Sequence, residues 1–178
     1  TSSGSNIEVN GDITFNSANL AGTNYIIVKG TGTQNVSGAG GCPLSFEINK
    51  ASGTLNFTSN VGFYQHYTNT AGTVDWSANK ATFLGSSHIT ITNGSFYDLE
   101  IAKSSSYNLS LAGSNCIVAN NFTFTSINTL SNFAIEVGGN LSLNHNANAG
   151  NTSKILVNGT GNQSVSGVNS PVSFEINK

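Results

Sequence analysis

The chain contains no arginine, and only 8% of its 178 residues are charged, about a third of the usual share. Six lysines against eight acidic residues leave a net charge of −2. There is no basic stripe and no guanidinium fork for phosphate or guanine, which argues against nucleic acid. Nothing polybasic is present to draw the chain to a membrane surface. No apolar run approaches the ~20 residues that a spanning helix needs. No signal peptide is visible, so the sequence is expected to be a mature chain or an excised fragment.

Cysteine is scarce too. Cys42 and Cys116 form no CxxC and have no companion ligands at zinc spacing. They are expected to be thiols rather than a disulfide.

What the chain has instead is 27 Asn, 25 Ser and 18 Thr, set around short alternating runs. Examples are Asp12-Ile13-Thr14-Phe15, Thr54-Leu55-Asn56-Phe57, His88-Ile89-Thr90-Ile91, Asn108-Leu109-Ser110-Leu111, Asn121-Phe122-Thr123-Phe124 and Asn140-Leu141-Ser142-Leu143. Apolar residues two apart share one face of an extended chain. Asn-Gly, Gly-Thr-Gly and Ser-Gly between the runs are turn formers. No segment carries apolar residues at helical spacing, so almost no helix is expected.

The text also repeats. Val157–Lys178 restates Val28–Lys50, and Ile135-Glu136-Val137 restates Ile7-Glu8-Val9. Residues 1–50 match 129–178 at an offset of 128 that slips to 129 (Gly30 to Gly159, Val36 to Val165) and returns. A repeat of this kind, built from strands of three to five residues, points to a solenoid. The expected fold is all-β, a single right-handed parallel β-helix over residues 1–178. The handedness follows from the usual crossover rule. Coils are expected near 6–24, 25–46, 47–60, 61–80, 81–99, 100–115, 116–132, 133–153 and 154–174, about nine in all. The matching ends suggest a segment of a longer tandem array, whose end coils would stack on neighbouring repeats or copies.

The Gly-Thr-Gly-x-Gln-x-Val-Ser-Gly stretch, the Φ-x-Ile-x-Lys text (Φ apolar) and the alternating runs resemble a known family. They are similar to the β-helical repeats of very large secreted surface proteins of Bacteroidota-type bacteria, often adhesins. Gly94-Ser95-Phe96-Tyr97-Asp98-Leu99-Glu100-Ile101-Ala102-Lys103 fits that style. The resemblance covers nearly the whole chain. It implies export, display at the cell surface and a stalk or filament role.

Polysaccharide-cleaving β-helices group acids, often with calcium, on one sheet face. Here Glu8 and Glu136 are repeat equivalents, as are Glu47, Glu100 and Glu175, and Lys50, Lys103 and Lys178. A catalytic site is normally unique, so recurrence marks these as structural, and the Glu and Lys of the Glu-Ile-x-Lys segments are expected on the outside of each coil. Asp75 and Asp98 are candidates for an acid/base pair, about one coil apart. His66, His88 and His145 lie in separate coils and do not supply a metal site. No catalytic residue, metal or cofactor is expected.

Tyr64, Tyr67 and Trp76 fall in the most distinctive stretch. They could stack on sugar rings if exposed, or could plug the core. The nine Asn-x-Ser/Thr sequons are little more than the composition gives by chance. Thr90/Thr92 and Thr123/Thr125 hint at a threonine ladder that neighbouring coils do not continue. The expectation is a non-enzymatic structural or adhesive rod. The alternative is a carbohydrate-binding module or a glycan-cleaving enzyme, with surface glycans as partners.

Overall fold

The alternating text folds into strands that pair only in parallel. The computed structural model describes residues 5–17, 22–104, 106–126, 128–132, 134–144, 148–149, 154–167 and 173–178. Among these there is no helix, and the sheets stack as a parallel β-solenoid. Each strand pairs with strands one coil before and after it. The pairing steps run from 18 residues (Ala81 to Leu99) to 24 (Tyr67 to Ile91).

Three faces emerge. The first carries Ile7–Val9, Tyr25–Val28, the first part of Ser45–Phe57, the first part of Tyr67–Asp75, Ile89–Thr92, Asn108–Ala112, Thr129–Ser131 and Asn148–Ala149. The second begins with Ile13–Thr14, Gln34–Ser37 and the later parts of Ser45–Phe57 and Tyr67–Asp75. It continues through Ser95–Phe96, Cys116–Val118, Ile135–Val137, Ile155–Val157 and Phe174–Ile176. The third holds Val61–Phe63, Lys80–Gly85, Asp98–Lys103, Phe122–Ser126, Leu141–Leu143 and Val165–Gly167.

The rod has about seven turns rather than nine. Segments of 14 to 16 residues, such as 47–60 and 100–115, are too short for a coil that needs three strands and three corners. Strand spacing of ~4.8 Å over the seven steps of the first face gives a length of about 34 Å.

Inward positions form apolar ladders. Val61, Ala81, Leu99, Phe122 and Leu141 lie in register on the third face, and so do Phe63, Phe83, Ile101, Phe124 and Leu143. All ten are buried. Burying one Phe or Leu side chain stabilises by ~1.5–3 kcal/mol, so the ladders dominate the fold's energetics.

Polar residues at the corners bond along the rod axis. Asp12, Asn60, Asp98, Asn121 and Asn140 each accept, at Oδ1, the backbone N–H of Asn35, Lys80, Asn121, Asn140 and Ser164 one coil on. The high Asn content has this use: a short side chain satisfies the amide that opens the next coil's strand. The glycine of Val-Ser-Gly is equally local. Gly38 and its repeat counterpart Gly167 have φ of +107° and +145°. A Cβ there would lie 2.2 and 2.0 Å from the carbonyl oxygens of Phe15 and Leu143 below.

Candidate functional site at the Trp76 corner

The stretch from Phe63 to Trp76 is where the repeat is interrupted by unique text. It forms a core plug, not a surface strip. Phe15, Phe46, Phe57, Phe63, Tyr67, Trp76, Phe83 and Phe96 make one connected set of ring contacts. Trp76 stacks on Phe57 with centroids 3.8 Å apart and planes 5° from parallel. Its indole N–H donates to the Ser95 carbonyl at 2.8 Å. Tyr67 is 0% exposed and Trp76 4%. Two of the three rings considered for sugar stacking therefore present no face to solvent, which corrects that expectation. Tyr64 stays half-buried at the preceding corner.

Tyr67 is unusual within the plug. Its hydroxyl is buried and has no hydrogen-bond partner among the described residues. Burial, with a smaller contribution from the nearby Cys116 thiol, pushes its ionisation far above the ordinary phenol range. Cys42 and Cys116 are both free and buried. Burial drives the Cys42 thiol up to about 12 and raises Cys116 further still. These are inert thiols, without the thiolate character that reactivity needs.

Outside the plug, the chain turns at Asp75-Trp76-Ser77-Ala78 and leaves a cleft of about 350 Å³, with Tyr97 and Ala119 also on its walls. Ser77 and Ala78 both have left-handed backbone, φ 46° and 65°. The Asn79 N–H closes the turn on the Trp76 carbonyl at 2.7 Å. Asp75 accepts the Ser77 N–H at 2.8 Å and the Ser77 hydroxyl at 3.2 Å. Asp98 is not part of the cleft lining. Its Oδ1 accepts from the Asn120 amide and the Asn121 N–H. Both carboxylates considered for acid/base work are thus committed to local structure, each in its own corner.

The histidines are spread likewise. His66 Nδ1 accepts the Thr90 N–H at 2.9 Å, and His88 Nδ1 accepts the Asn108 N–H at 3.1 Å. Both act as corner acceptors in the manner of the asparagines. Burial, then the positive charge of Lys103, holds His66 below its usual range. His145 lies outside the described residues. Among the described residues no group of three or more His, Cys, Asp or Glu is placed to hold a metal ion. Threonine ladders break quickly: Thr90 stacks on Ser110 and then Ser131.

The recurring charges need a correction. Lys50 and Lys103 are each 1% exposed, although expected on the outside. Lys50 Nζ donates to Gln34 Oε1, whose amide nitrogen donates to the Gly11 carbonyl at 2.8 Å. Lys103 Nζ donates to the Leu84 carbonyl at 2.6 Å. Desolvation lowers the ionisation of both amines, that of Lys103 to about 8. Lys178, on the last strand's continuation, is exposed and donates to the Gly161 carbonyl at 2.7 Å.

The glutamates do sit outward or half-outward. Glu100 pairs with Lys80 at 2.6 Å and Glu175 with Lys154 at 2.8 Å. Glu47 accepts from the Thr70 hydroxyl at 3.2 Å. Glu8 pairs with Lys29 at 2.5 Å. Its counterpart Glu136 takes Asn158, the residue that replaces Lys29, at 3.0 Å. Exposed pairs of this kind are worth ~0–1 kcal/mol each. No protein-family model, curated protein or solved structure matches the chain.

Proposed function

We propose that the chain is a non-enzymatic rod of an extracellular surface protein, acting as a stiff stalk or filament subunit. The observation that carries this reading is that every recurring charge has a scaffold role. Glu8 and Glu136 hold side chains in the adjacent coil. Lys50 and Lys103 close corners from the inside. Nothing recurrent is left over for chemistry. Parallel hydrogen-bonded faces around filled apolar ladders resist bending, which suits a spacer that holds an adhesive tip away from the cell. Secretion and cell-surface display are drawn from the resemblance of the repeat text. The partners proposed are neighbouring repeats or copies stacked end to end.

The test is to delete residues 51–178 from the surface protein in cells that display it. The distance between an outer epitope and the cell envelope, measured by electron microscopy with gold labelling, should shorten by tens of ångströms while the tip still binds. Unchanged reach, or loss of tip binding with reach retained, would count against a stalk.

A second reading is sugar contact at the Trp76 corner. It is favoured by the cleft beside Tyr97 and Asp75, where two successive left-handed non-glycine residues, Ser77 and Ala78, fall in unrepeated text. Glycan-array binding abolished by Tyr97→Ala and Asp75→Asn would support it. An array without signal would remove it.

A further inference from the structure

The sequence repeat and the coil do not have the same period. Six pairing steps from Ile7–Val9 reach Thr129–Ser131 on the same face. The repeat counterpart of Ile7–Val9 is Ile135–Val137, which lies one strand further, on the second face. The offset holds throughout. Ile7, Ile26 and Phe46 stack in register on the first face, and their counterparts Ile135, Ile155 and Phe174 stack in register on the second. Ile13 and Val36 pair on the second face, and their counterparts Leu141 and Val165 on the third.

Hydrogen bonds move with the text. Gln34 donates to the Gly11 carbonyl, and Gln163 to the equivalent Gly139 carbonyl at 2.6 Å. Asn35 N–H bonds Asp12, and Ser164 N–H bonds the equivalent Asn140, both at 2.8 Å. The three Glu-Ile-x-Lys segments consequently fall one on each face: Glu47 on the first, Glu100 on the third, Glu175 on the second.

We infer that the 128-residue repeat spans six and one-third coils, and that the last coil is a docking surface for a further copy of the text of residues 51–75, rotated by one face. The surface to be covered is specified by the counterparts. Phe174, Ile176 and Val165 are 49%, 61% and 42% exposed, whereas Phe46, Ile48 and Val36 are 0% exposed. In the first copy, Val36 is covered by Phe57, Phe46 by Tyr67 and Ile48 by Asn69. The incoming coil therefore places its Phe57 equivalent over Val165 on the third face and its Tyr67 equivalent over Phe174 on the second. Among the described residues Oε1 of Gln163 has no hydrogen-bond partner, whereas its counterpart on Gln34 accepts from Lys50; Lys178, the counterpart of Lys50, donates to the Gly161 carbonyl instead. This docking deepens the end-to-end stacking proposed above and rests on it for its biological purpose, but not for its geometry.

The experiment extends the intact chain after Lys178 with a copy of residues 51–80 and measures amide hydrogen exchange. Exchange at Val165–Gly167 and Phe174–Ile176 should slow at least tenfold relative to the parent chain, with a higher Tm. An extension carrying Asp at the Leu55 and Phe57 equivalents should give no slowing at Val165–Gly167, the strand that those two residues cover. So should one beginning at the text of residue 58, which omits the strand that crosses to the third face. Absence of slowing with the first extension, or equal slowing with all three, overturns the inference. Neither result bears on whether the rod is a stalk, which the epitope-distance measurement decides separately.

Discussion

Lys50 reaches back one coil and donates its ammonium group to the side-chain oxygen of Gln34. This contact joins the two halves of the repeated text, because Gln34 belongs to the Gly-Thr-Gly-x-Gln stretch and Lys50 closes Phe-Glu-Ile-Asn-Lys. Gly72, with φ of +113°, lies over the lysine stem, where an added Cβ would come within 2.9 Å of Lys50 Cβ. The two partners should not be equally sensitive to substitution. Gln34→Ala leaves a buried cation without its acceptor and the Gly11 carbonyl without its donor, and should cost about 3 kcal/mol. Lys50→Met keeps most of the stem volume and leaves only a neutral oxygen unpaired, and should cost about 1 kcal/mol. Urea unfolding of both variants checks the order. A costlier Lys50→Met would mean that the ammonium group contributes more than its burial removes.

The hydroxyl of Tyr67 should be a liability. The ring packs among Phe46, Phe63, Phe83 and Phe96, and the hydroxyl finds no partner among the described residues. An unsatisfied buried hydroxyl costs ~1–3 kcal/mol. Tyr67→Phe should therefore raise stability by about 1 kcal/mol, while Tyr67→Ala should lose ~3–5 kcal/mol through the cavity it opens. Thermal unfolding of the two variants gives the comparison, and a destabilised Tyr67→Phe would reveal a partner for the hydroxyl.

These residues show where the sequence was readable. Strand type and the inward ladders follow from apolar residues two apart, and parallel stacking from the repeat of such short strands; those were legible. The same alternation held the signal for the lysines: in Phe46-x-Ile48-x-Lys50 and Leu99-x-Ile101-x-Lys103, lysine occupies the inward parity. Its charge argued for solvent, but a long apolar stem lets the amine bond a neighbouring coil's oxygen while the stem packs inside.

Corners were harder. A change of face resets the alternation, so Ile91 and Phe96 are both inward although an odd number of residues separates them across a corner, and the position of Trp76 depends on a turn with no Asn-Gly to mark it. Coil count failed for the same reason, since corner lengths vary while the three-strand requirement does not. The one-face advance of the repeat is invisible in the text alone. It appears only when strand register shows which face each copy occupies.

The turn at Ser77-Ala78 carries removable strain. Two successive left-handed residues define a tight turn that ordinarily uses Asn-Gly, and the left-handed region costs a residue with a Cβ ~1–2 kcal/mol. Part of that is returned by the greater freedom of glycine in the unfolded chain. Ala78→Gly should therefore stabilise by roughly 0.5–1 kcal/mol, and Ala78→Val should destabilise by more than 1 kcal/mol. Chemical denaturation midpoints read both. A destabilising Ala78→Gly would imply that the methyl group packs usefully against the cleft wall.

Lys103 should leave a signature in alkaline solution. The residue is 1% exposed, its ionisation is lowered by desolvation to about 8, and an unfolded lysine ionises near ~10.4. Between those values the unfolded chain holds the proton that the folded chain has released. Stability from this group therefore rises as pH increases from about 8 toward ~10.4, and the penalty of burying the cation is felt in full below that window. Cys42 works the other way: held up to about 12 in the fold, it favours the unfolded chain once pH passes an ordinary thiol's ~8.5. Cys116, with a thiol raised still further, acts in the same direction. A plain pH scan mixes these opposing effects, so the informative quantity is a difference. Lys103→Met removes the titrating amine and leaves both thiols in place. The Tm of Lys103→Met relative to the unsubstituted chain should be most favourable near pH 7 and fall steadily between pH 8 and 10. A difference that stays flat across that range would mean that Lys103 keeps its proton in the folded rod.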